Sequence, residues 1–459
     1  MLPKDFISPF PGLEEALAEE PAVSVRVNRA KGIAVPHGAE TVAWCPSGFW
    51  LGDRPQFTWD PALHQGLYYV QDASSMITTL AVKQAVSLLG LTSGVLLLDA
   101  CAAPGGKTIA AIDALPPGSM AVANEYVPGR AAILAENLAK WGSPAKMVTR
   151  GDTARFRKLP GTFDIVMADV PCSGEGMFRK DPEAVRQWTP ALVEECAARQ
   201  REIVANLWET LREGGIFIYS TCTFNRTENE DMLAWLLAEY PDGIHIPLDI
   251  PDGWGPVTTD GCTHFVPGRV RGEGLTIFMV SKGVPGSGMR QQLSRRASAD
   301  RNRKSKKTSA PVSPECFRWL DSGEEYDIRD ENGRIVAVPT LWSAQVKEMS
   351  GKLDVVGCGL ELATVKGRDV IPSQSLALST ALRRGAFPEV TVDYAAAVAY
   401  LRREAVAMPD GTPRGFVLLT YGGYPLGFVK NIGNRANNLY PAEWRILSTH
   451  IPPVPPSVV

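Results

Sequence analysis

The sequence predicts an α/β fold built on a mainly parallel sheet, and two observations carry that expectation. From about residue 91 to 282, short apolar runs alternate with segments of helical periodicity, the pattern of βαβ units. Two cysteines, Cys172 and Cys222, each follow such a run. They therefore stand at the carboxyl ends of strands, where open α/β sheets bind their ligands.

Residues 1–90 hold a short helix pattern (Pro11 to Glu20), a strand candidate (Val23 to Val27) and an aromatic stretch ending in Tyr68-Tyr-Val-Gln-Asp-Ala-Ser-Ser75. In residues 91–282, strands are expected at Val95–Ala100, Ser119–Asn124, Ala145–Thr149, Phe163–Ala168, Gly215–Ser220 and Leu275–Val280. Arg130–Trp141 and Pro190–Arg212 have helical periodicity, and Asn225-Arg-Thr-Glu228 reads as a capping box opening a helix that runs to Tyr240. Residues 283–311 read as a flexible basic linker. Residues 312–459 hold short strands and turns, and the β-rich runs flanking Tyr421-Gly-Gly-Tyr424 suggest a hairpin in a small barrel-like module.

A chain of 459 residues is long enough for two or three cores. It has no apolar, uncharged stretch of about 20 residues and no basic-then-apolar N-terminus, so neither a membrane span nor a secretory signal is expected. The eight cysteines form no C-x-x-C pair and the five histidines no ligand-spaced cluster. Free thiols in the reducing cytoplasm, without a bound metal, are the expectation. Net charge is −3, unevenly spread: Arg290 to Lys307 carries eight basic residues against Asp300 alone, +7, leaving −10 elsewhere. That run is either a solvated spacer or an arm that contacts phosphates.

The loop after the first strand, Asp99-Ala-Cys-Ala-Ala-Pro-Gly-Gly-Lys107, has Gly105 and Gly106 where the chain must turn and let a ligand approach. It is neither a Walker loop, because Cys101 replaces the needed glycine, nor a G-x-G-x-x-G fingerprint, which disfavours an ATPase or an NAD dehydrogenase. Glu125 ends the second strand, suited to the hydroxyls of a ribose; Asp152 follows the third and Asp169 ends the fourth. Acids along one sheet edge beside an Ala-Ala-Pro wall fit an adenosyl ligand without phosphates, S-adenosyl-L-methionine. A lone acid of this kind is ordinarily a solvated loop residue or a helix cap.

Asp99-Ala-Cys-Ala-Ala-Pro-Gly-Gly-Lys-Thr108, Asp169-Val-Pro-Cys-Ser-Gly-Glu-Gly-Met177 and Ser220-Thr-Cys-Thr-Phe224 with Glu228-Asn-Glu230 resemble the motifs of the Sun-type RNA (cytosine-5) methyltransferases. More weakly, Pro425-Leu-Gly-Phe-Val-Lys430 and Asn437-Asn-Leu-Tyr-Pro441 resemble the PUA-like RNA-binding tail found in that group. The resemblance implies a Rossmann-like methyltransferase domain with a mostly parallel seven-stranded sheet, an N-terminal α+β segment and a β-rich PUA-like C-terminal domain. It implies methylation of carbon 5 of a cytosine in small-subunit ribosomal RNA, free or assembled. For the site it implies Cys101, Ala102, Ala103, Pro104, Gly105, Gly106, Lys107, Glu125, Asp152 and Asp169 as cofactor contacts, Cys222 as nucleophile and Cys172 as the thiol that assists release.

The chemistry asks for such parts. Carbon 5 of cytosine is a poor nucleophile until a thiolate adds to carbon 6, and cysteine both attacks and leaves readily. Asp169 is placed to meet the ring nitrogen or amine, protonated or bridged to that edge. Free cysteines are ordinarily small buried hydrophobes, and as thiols Cys101, Cys196, Cys262 and Cys358 are read that way. Pro171 and Gly174 force a turn at Cys172, and Ser220, Thr221 and Thr223 make the Cys222 strand end polar. Arg179 and Lys180 either meet phosphates or face solvent, Trp188 and Trp208 favour the core, and Tyr68 and Tyr69 either stack on a base or pack.

Two other readings stay open at this level: a methyltransferase acting on an exocyclic amine, whose D-P-P-Y type loop Asp169-Val-Pro-Cys172 resembles, and a non-catalytic RNA-binding or ribosome-assembly factor. The basic run has its own test. Neutralising Arg301, Arg303, Lys304, Lys306 and Lys307 should weaken RNA binding and flatten the dependence of log affinity on log salt, with methylation of saturating substrate retained. An unchanged slope makes the run a spacer.

Overall fold

The computed structural model describes residues 2–287, 312–452 and 454–459; most of the expected linker, including its whole basic run, lies outside the described residues. The N-terminal region forms a short helix α1 (Leu13–Leu17) and a four-stranded antiparallel sheet. Its strands are β1 (Val23–Val27), β2 (Thr41–Val42), β3 (Cys45–Leu51) and β4 (Tyr68–Val70), ordered β2-β3-β1-β4. Helix α2 (Pro61–His64) precedes β4, and α3 (Thr78–Leu88) leads into the central sheet.

Five strands of that sheet are parallel: β5 (Leu96–Asp99), β6 (Met120–Glu125), β7 (Lys146–Arg150), β8 (Phe163–Asp169) and β9 (Leu211–Thr221), in the order β7-β6-β5-β8-β9. Every residue of β5 and β6 is buried, as strands covered on both faces must be. The crossovers carry α4 (Gly106–Ala114), α5 (Pro128–Trp141), α6 (Pro182–Gln187) and α7 (Pro190–Trp208). Helix α7 starts where Thr189 accepts the Leu192 N–H at 3.1 Å with Pro190 at the first helical position. It ends at Trp208, short of the expected Arg212. Arg212 belongs to β9 instead, its guanidinium drawn 2.6 Å from the buried Asp164 carboxylate of β8.

Helix α8 (Glu230–Glu239) is followed by β10 (Gly243–Ile246), β11 (Val257–Thr259), β12 (Cys262–Phe265) and β13 (Leu275–Lys282), the last antiparallel to β9. Beyond residue 312 the chain builds two four-stranded sheets rather than one small barrel-like module. The first contains β14 (Tyr326–Glu331), β15 (Arg334–Pro339), β17 (Leu360–Lys366) and β18 (Asp369–Pro372); between them in sequence, β16 (Asp354–Cys358) leaves to join the central sheet. The second contains β19 (Glu389–Thr391), β20 (Gly415–Tyr421), β21 (Tyr424–Asn431) and β22 (Ala436–Asn438). The hairpin expected at Tyr421-Gly-Gly-Tyr424 joins β20 to β21, with Tyr421 paired to Tyr424.

The central sheet is thus wider than the seven strands expected: it has ten. Strand β10 pairs with Met279–Lys282 of β13 and β12 with Leu275–Ile277, so two short partners share one edge, and β16 covers the free edge of β7. Both additions cover backbone groups that an open edge would leave unpaired. The C-terminal region enters the main core as well. Val338, Trp342, Val346 and Met349 pack with Leu98, Val122 and Met147, and the Trp342 indole donates to the Gly118 carbonyl at 2.8 Å. At the chain's end, Val458 packs with Val25, Val27 and Tyr68 of the N-terminal region. Among the described residues no helix is long and apolar enough to cross a membrane.

Trp342→Ala should remove about 3–5 kcal/mol of stability, as truncation of a fully buried aromatic does. The check is the chemical-denaturation midpoint, which should fall; an unchanged midpoint would mean that the C-terminal region only rests on the sheet.

Candidate functional site

The strand ends that carry the expected residues converge because the ladder is in register. Asp99 of β5 lies opposite Met167 of β8, and Asp169 of β8 lies opposite Ser220 of β9. Val170 to Cys172 follow β8, and Cys222 directly follows the last residue of β9, Thr221. The Cys172 and Cys222 thiols end 3.2 Å apart, Sγ to Sγ, and all eight cysteines of the chain are free. The hydrogen bond with Cys222, together with burial and the nearby Glu228 carboxylate, raises the Cys172 pKa well above the ordinary thiol value. The structure therefore brings together the pair that the sequence singled out.

Asp169 joins Lys107, just past the glycine turn, to this pair. Its Oδ2 accepts from Lys107 Nζ and its Oδ1 from Ser220 Oγ, both at 2.8 Å. With both oxygens accepting, the side chain bridges Lys107 and Ser220. Burial pulls the Lys107 ammonium down, but the Asp169 carboxylate more than compensates, so its pKa lies above the ordinary lysine value. Lys107 is thus committed to Asp169.

The loop from Cys101 to Gly106 is fixed largely by its carbonyls and amides. The Ala102 N–H donates to the Asn124 carbonyl at 2.8 Å. Arg130 and Asn137 of α5 donate to the Ala103 and Pro104 carbonyls, each at 2.8 Å. The Ala103–Pro104 peptide bond is cis, and Gly105 has φ +116°, in the left-handed region that favours glycine. Cys101 is an inert thiol, its pKa pushed up by burial and by Asp99. Asp99 is itself raised to about 7 by burial; Thr108 donates to its Oδ2 at 2.6 Å, while its buried Oδ1 has no partner.

Glu125 is buried at the end of β6, with Oε1 accepting the Val127 N–H at 2.9 Å and Arg130 3.8 Å from Oε2. Asp152 is exposed and caps the short helix Thr153–Lys158 through the Ala154 N–H at 2.8 Å. Trp188 and Trp208 are core residues. Tyr68 is buried, its hydroxyl donating to Asp60 at 2.9 Å, and so packs rather than stacks on a base. The Tyr69 ring lies against Gly106. The Arg179 side chain does not face solvent: it is buried, 3.0 Å from the Glu273 carboxylate, and donates to the Gly272 carbonyl at 2.7 Å. Lys180 lies 3.5 Å from the same carboxylate.

Several site residues went unrecognised in the sequence. Gln71 donates to the Gly106 carbonyl at 3.1 Å and accepts from Arg26 at 2.8 Å, tying the N-terminal sheet to the glycine turn after β5. Asp72 accepts the Glu273 N–H at 2.9 Å, just before β13. Both lie in the Tyr68–Ser75 motif, whose polar residues inside an aromatic run were the available signal. The segment Asn225–Glu228 is not the capping box expected. Asn225 Oδ1 does accept the Glu228 N–H at 3.0 Å, but Glu228 turns away to the Cys172 loop, and α8 starts only at Glu230. Among the described residues no group of three or more His, Cys, Asp or Glu side chains is arranged to hold a metal ion.

Three family models match in order along the chain: the N-terminal domain of 16S rRNA methyltransferase RsmF over residues 3–73, 16S rRNA methyltransferase RsmB/F over 86–279, and the methyltransferase RsmF PUA domain over 387–446. The last falls on the β19–β22 sheet, and residues 312–386 lie outside it. The ribosomal RNA small subunit methyltransferase F of an Enterobacter species is 30% identical over 417 residues, 88% of this chain and 83% of the relative. That of Escherichia coli O157:H7 is 31% identical over 451 residues, 92% and 89%. A crystal structure of a methyltransferase homolog from Pyrococcus horikoshii superposes with a TM-score of 0.50 at 24% identity, over 59% of this chain and 89% of that one, and shares the Rossmann-like fold. On this alignment over nearly its whole length, with its N-terminal, catalytic and PUA matches in order, the chain belongs to the ribosomal RNA small subunit methyltransferase F family.

Proposed function

We propose that this protein transfers a methyl group from S-adenosyl-L-methionine to carbon 5 of a cytosine in small-subunit ribosomal RNA, through a covalent bond between Cys222 and carbon 6, in the cytoplasm, where the thiols stay reduced. The observation that carries the reading is the pair of free thiols 3.2 Å apart beside Asp169 at adjacent strand ends. A methyltransferase acting on an exocyclic amine has no use for two thiols.

The residues present fit the cofactor. The buried, unpartnered Asp99 Oδ1 calls for a donor, which the ligand's amino group supplies, and the buried Glu125 carboxylate suits ribose hydroxyls. Cys101 to Lys107 would line the loop around it, with Asp152 at the far strand end. When bound, the cofactor supplies an electrophilic methyl group.

The chain's own residues do the rest. Cys222 adds to carbon 6 and makes carbon 5 electron-rich. Asp169, fixed by Lys107 and Ser220, keeps lone pairs free to accept from the base's amine edge. For release, the carbon 5 proton leaves to a base, its electron pair restores the ring double bond, and the carbon–sulfur bond breaks towards Cys222. Cys172, 3.2 Å from that sulfur, can donate a hydrogen bond from its thiol to the departing thiolate.

Assay on unmodified ribosomal RNA, free and in small subunits, should yield 5-methylcytidine; no 5-methylcytidine from either substrate would overturn the reading. Cys222→Ala should abolish methylation and adduct, whereas Cys172→Ala should accumulate a gel-stable RNA complex. Near-normal methylation by Cys222→Ala would reassign the nucleophile. Glu125→Ala should weaken cofactor binding roughly tenfold to a hundredfold, the loss expected for removing a buried charged hydrogen-bond partner. Calorimetry showing unchanged affinity removes Glu125 from the site.

A further inference from the structure

We propose that Glu175 and Glu228 are positioning residues that brace the two cysteine loops against each other, so that Cys172 stays within reach of Cys222 when the RNA adduct must be released. The inference rests on the functional reading above for its kinetic consequence, but its geometry stands independently.

Each carboxylate is almost fully buried and comes from the loop opposite the amides it accepts. Glu228, beyond Cys222, accepts the Ser173 N–H at 3.1 Å, the amide next to Cys172, and also the Ser173 hydroxyl. Gln200 at 2.6 Å and Asn225 at 2.8 Å complete its partners. Glu175, beyond Cys172, accepts the N–H groups of Phe224 at 2.7 Å and Asn225 at 3.1 Å, just past Cys222. The Asn225 amide at 2.9 Å and the Trp188 indole at 3.3 Å complete it. Between these two cross-braces the Gly176 N–H donates to the carbonyl of Cys222 itself at 2.7 Å. A Cβ at Gly176 would lie 2.8 Å from that carbonyl oxygen, so only glycine lets the loops approach so closely.

A loop that needed only its own amides satisfied could use its own side chains. Here the donors of one cysteine loop are matched by the carboxylate of the other, so neither loop can move without stranding buried polar groups on both. Every contact to the two carboxylates is a donor aimed at an acceptor. An amide in either place would turn an N–H toward other N–H groups and push the loops apart.

The test uses the full-length protein and two readouts. A monosubstituted trivalent arsenical binds where one arsenic can bridge two neighbouring thiols, and wild type should bind it at a site lost in Cys172→Ala and Cys222→Ala. Glu228→Gln and Glu175→Gln should lose this bridging while keeping cofactor affinity. In RNA assays they should slow steady-state turnover more than single-turnover methyl transfer, so that covalent RNA complex accumulates. If Glu228→Gln does not fold, Ser173→Ala, which deletes only the hydroxyl contacts, should still slow arsenical bridging.

Folded glutamine variants that bridge arsenical and turn over like wild type would overturn the proposal. So would equal losses in methyl transfer and release, the pattern of a merely structural role. Should wild type form no RNA adduct at all, the functional reading fails, while the arsenical readout still decides whether the loops are braced.

Discussion

The parallel pairing of β8 with β9 is the constraint on which the site depends. Asp169, the last residue of β8, lies opposite Ser220, one residue before the end of β9, and the two cysteines follow three and two residues after this pair. A shift of one residue in that ladder would turn the side chains that follow to the other face and separate the thiols. The ladder is itself held from below by burial on both faces and by the Arg212–Asp164 pair, which draws the start of β9 onto β8. A few buried interactions far from the chemistry thus set the relation of two sulfur atoms.

Charge organises the same place. Buried carboxylates are costly unless donors meet them, and most of those around the site are met: Asp169 by Lys107 and Ser220, Glu228 by Ser173, Gln200 and Asn225. Asp99 differs, because one of its oxygens is buried without a partner, and burial, with the Asp169 carboxylate nearby, raises its pKa to about 7.

The regions outside the central sheet help to shape the site. Arg26 of β1 donates to Gln71, and Gln71 donates to the Gly106 carbonyl, so the N-terminal sheet is tied to the glycine turn after β5. The C-terminal region closes the sheet edge with β16 and fills the core with Trp342. Its PUA-matching sheet is anchored to the N-terminal region in turn, with the Gln65 amide donating to the carbonyls of Tyr421 and Tyr424 at 2.9 and 2.8 Å.

The sequence by itself determined the parallel strands, the glycine turn after β5 and the placing of Cys172 and Cys222 at strand ends, because each is a local signal: an apolar run, a glycine pair, a thiol between a strand and a turn. It also determined the Tyr421–Tyr424 hairpin, since two glycines between β-rich runs leave few alternatives. Only the tertiary structure decided the rest. The ten-stranded width came from strands too short and too distant in sequence to announce their pairing. The partners of Arg179, Gln71, Glu175 and Glu228 cannot be read from the linear chain, because nothing in it says which groups will lie opposite them. Their partners stand 94, 35, 49 and 55 residues away, and burial, which turns a charged side chain into a structural commitment, is a property of the folded whole.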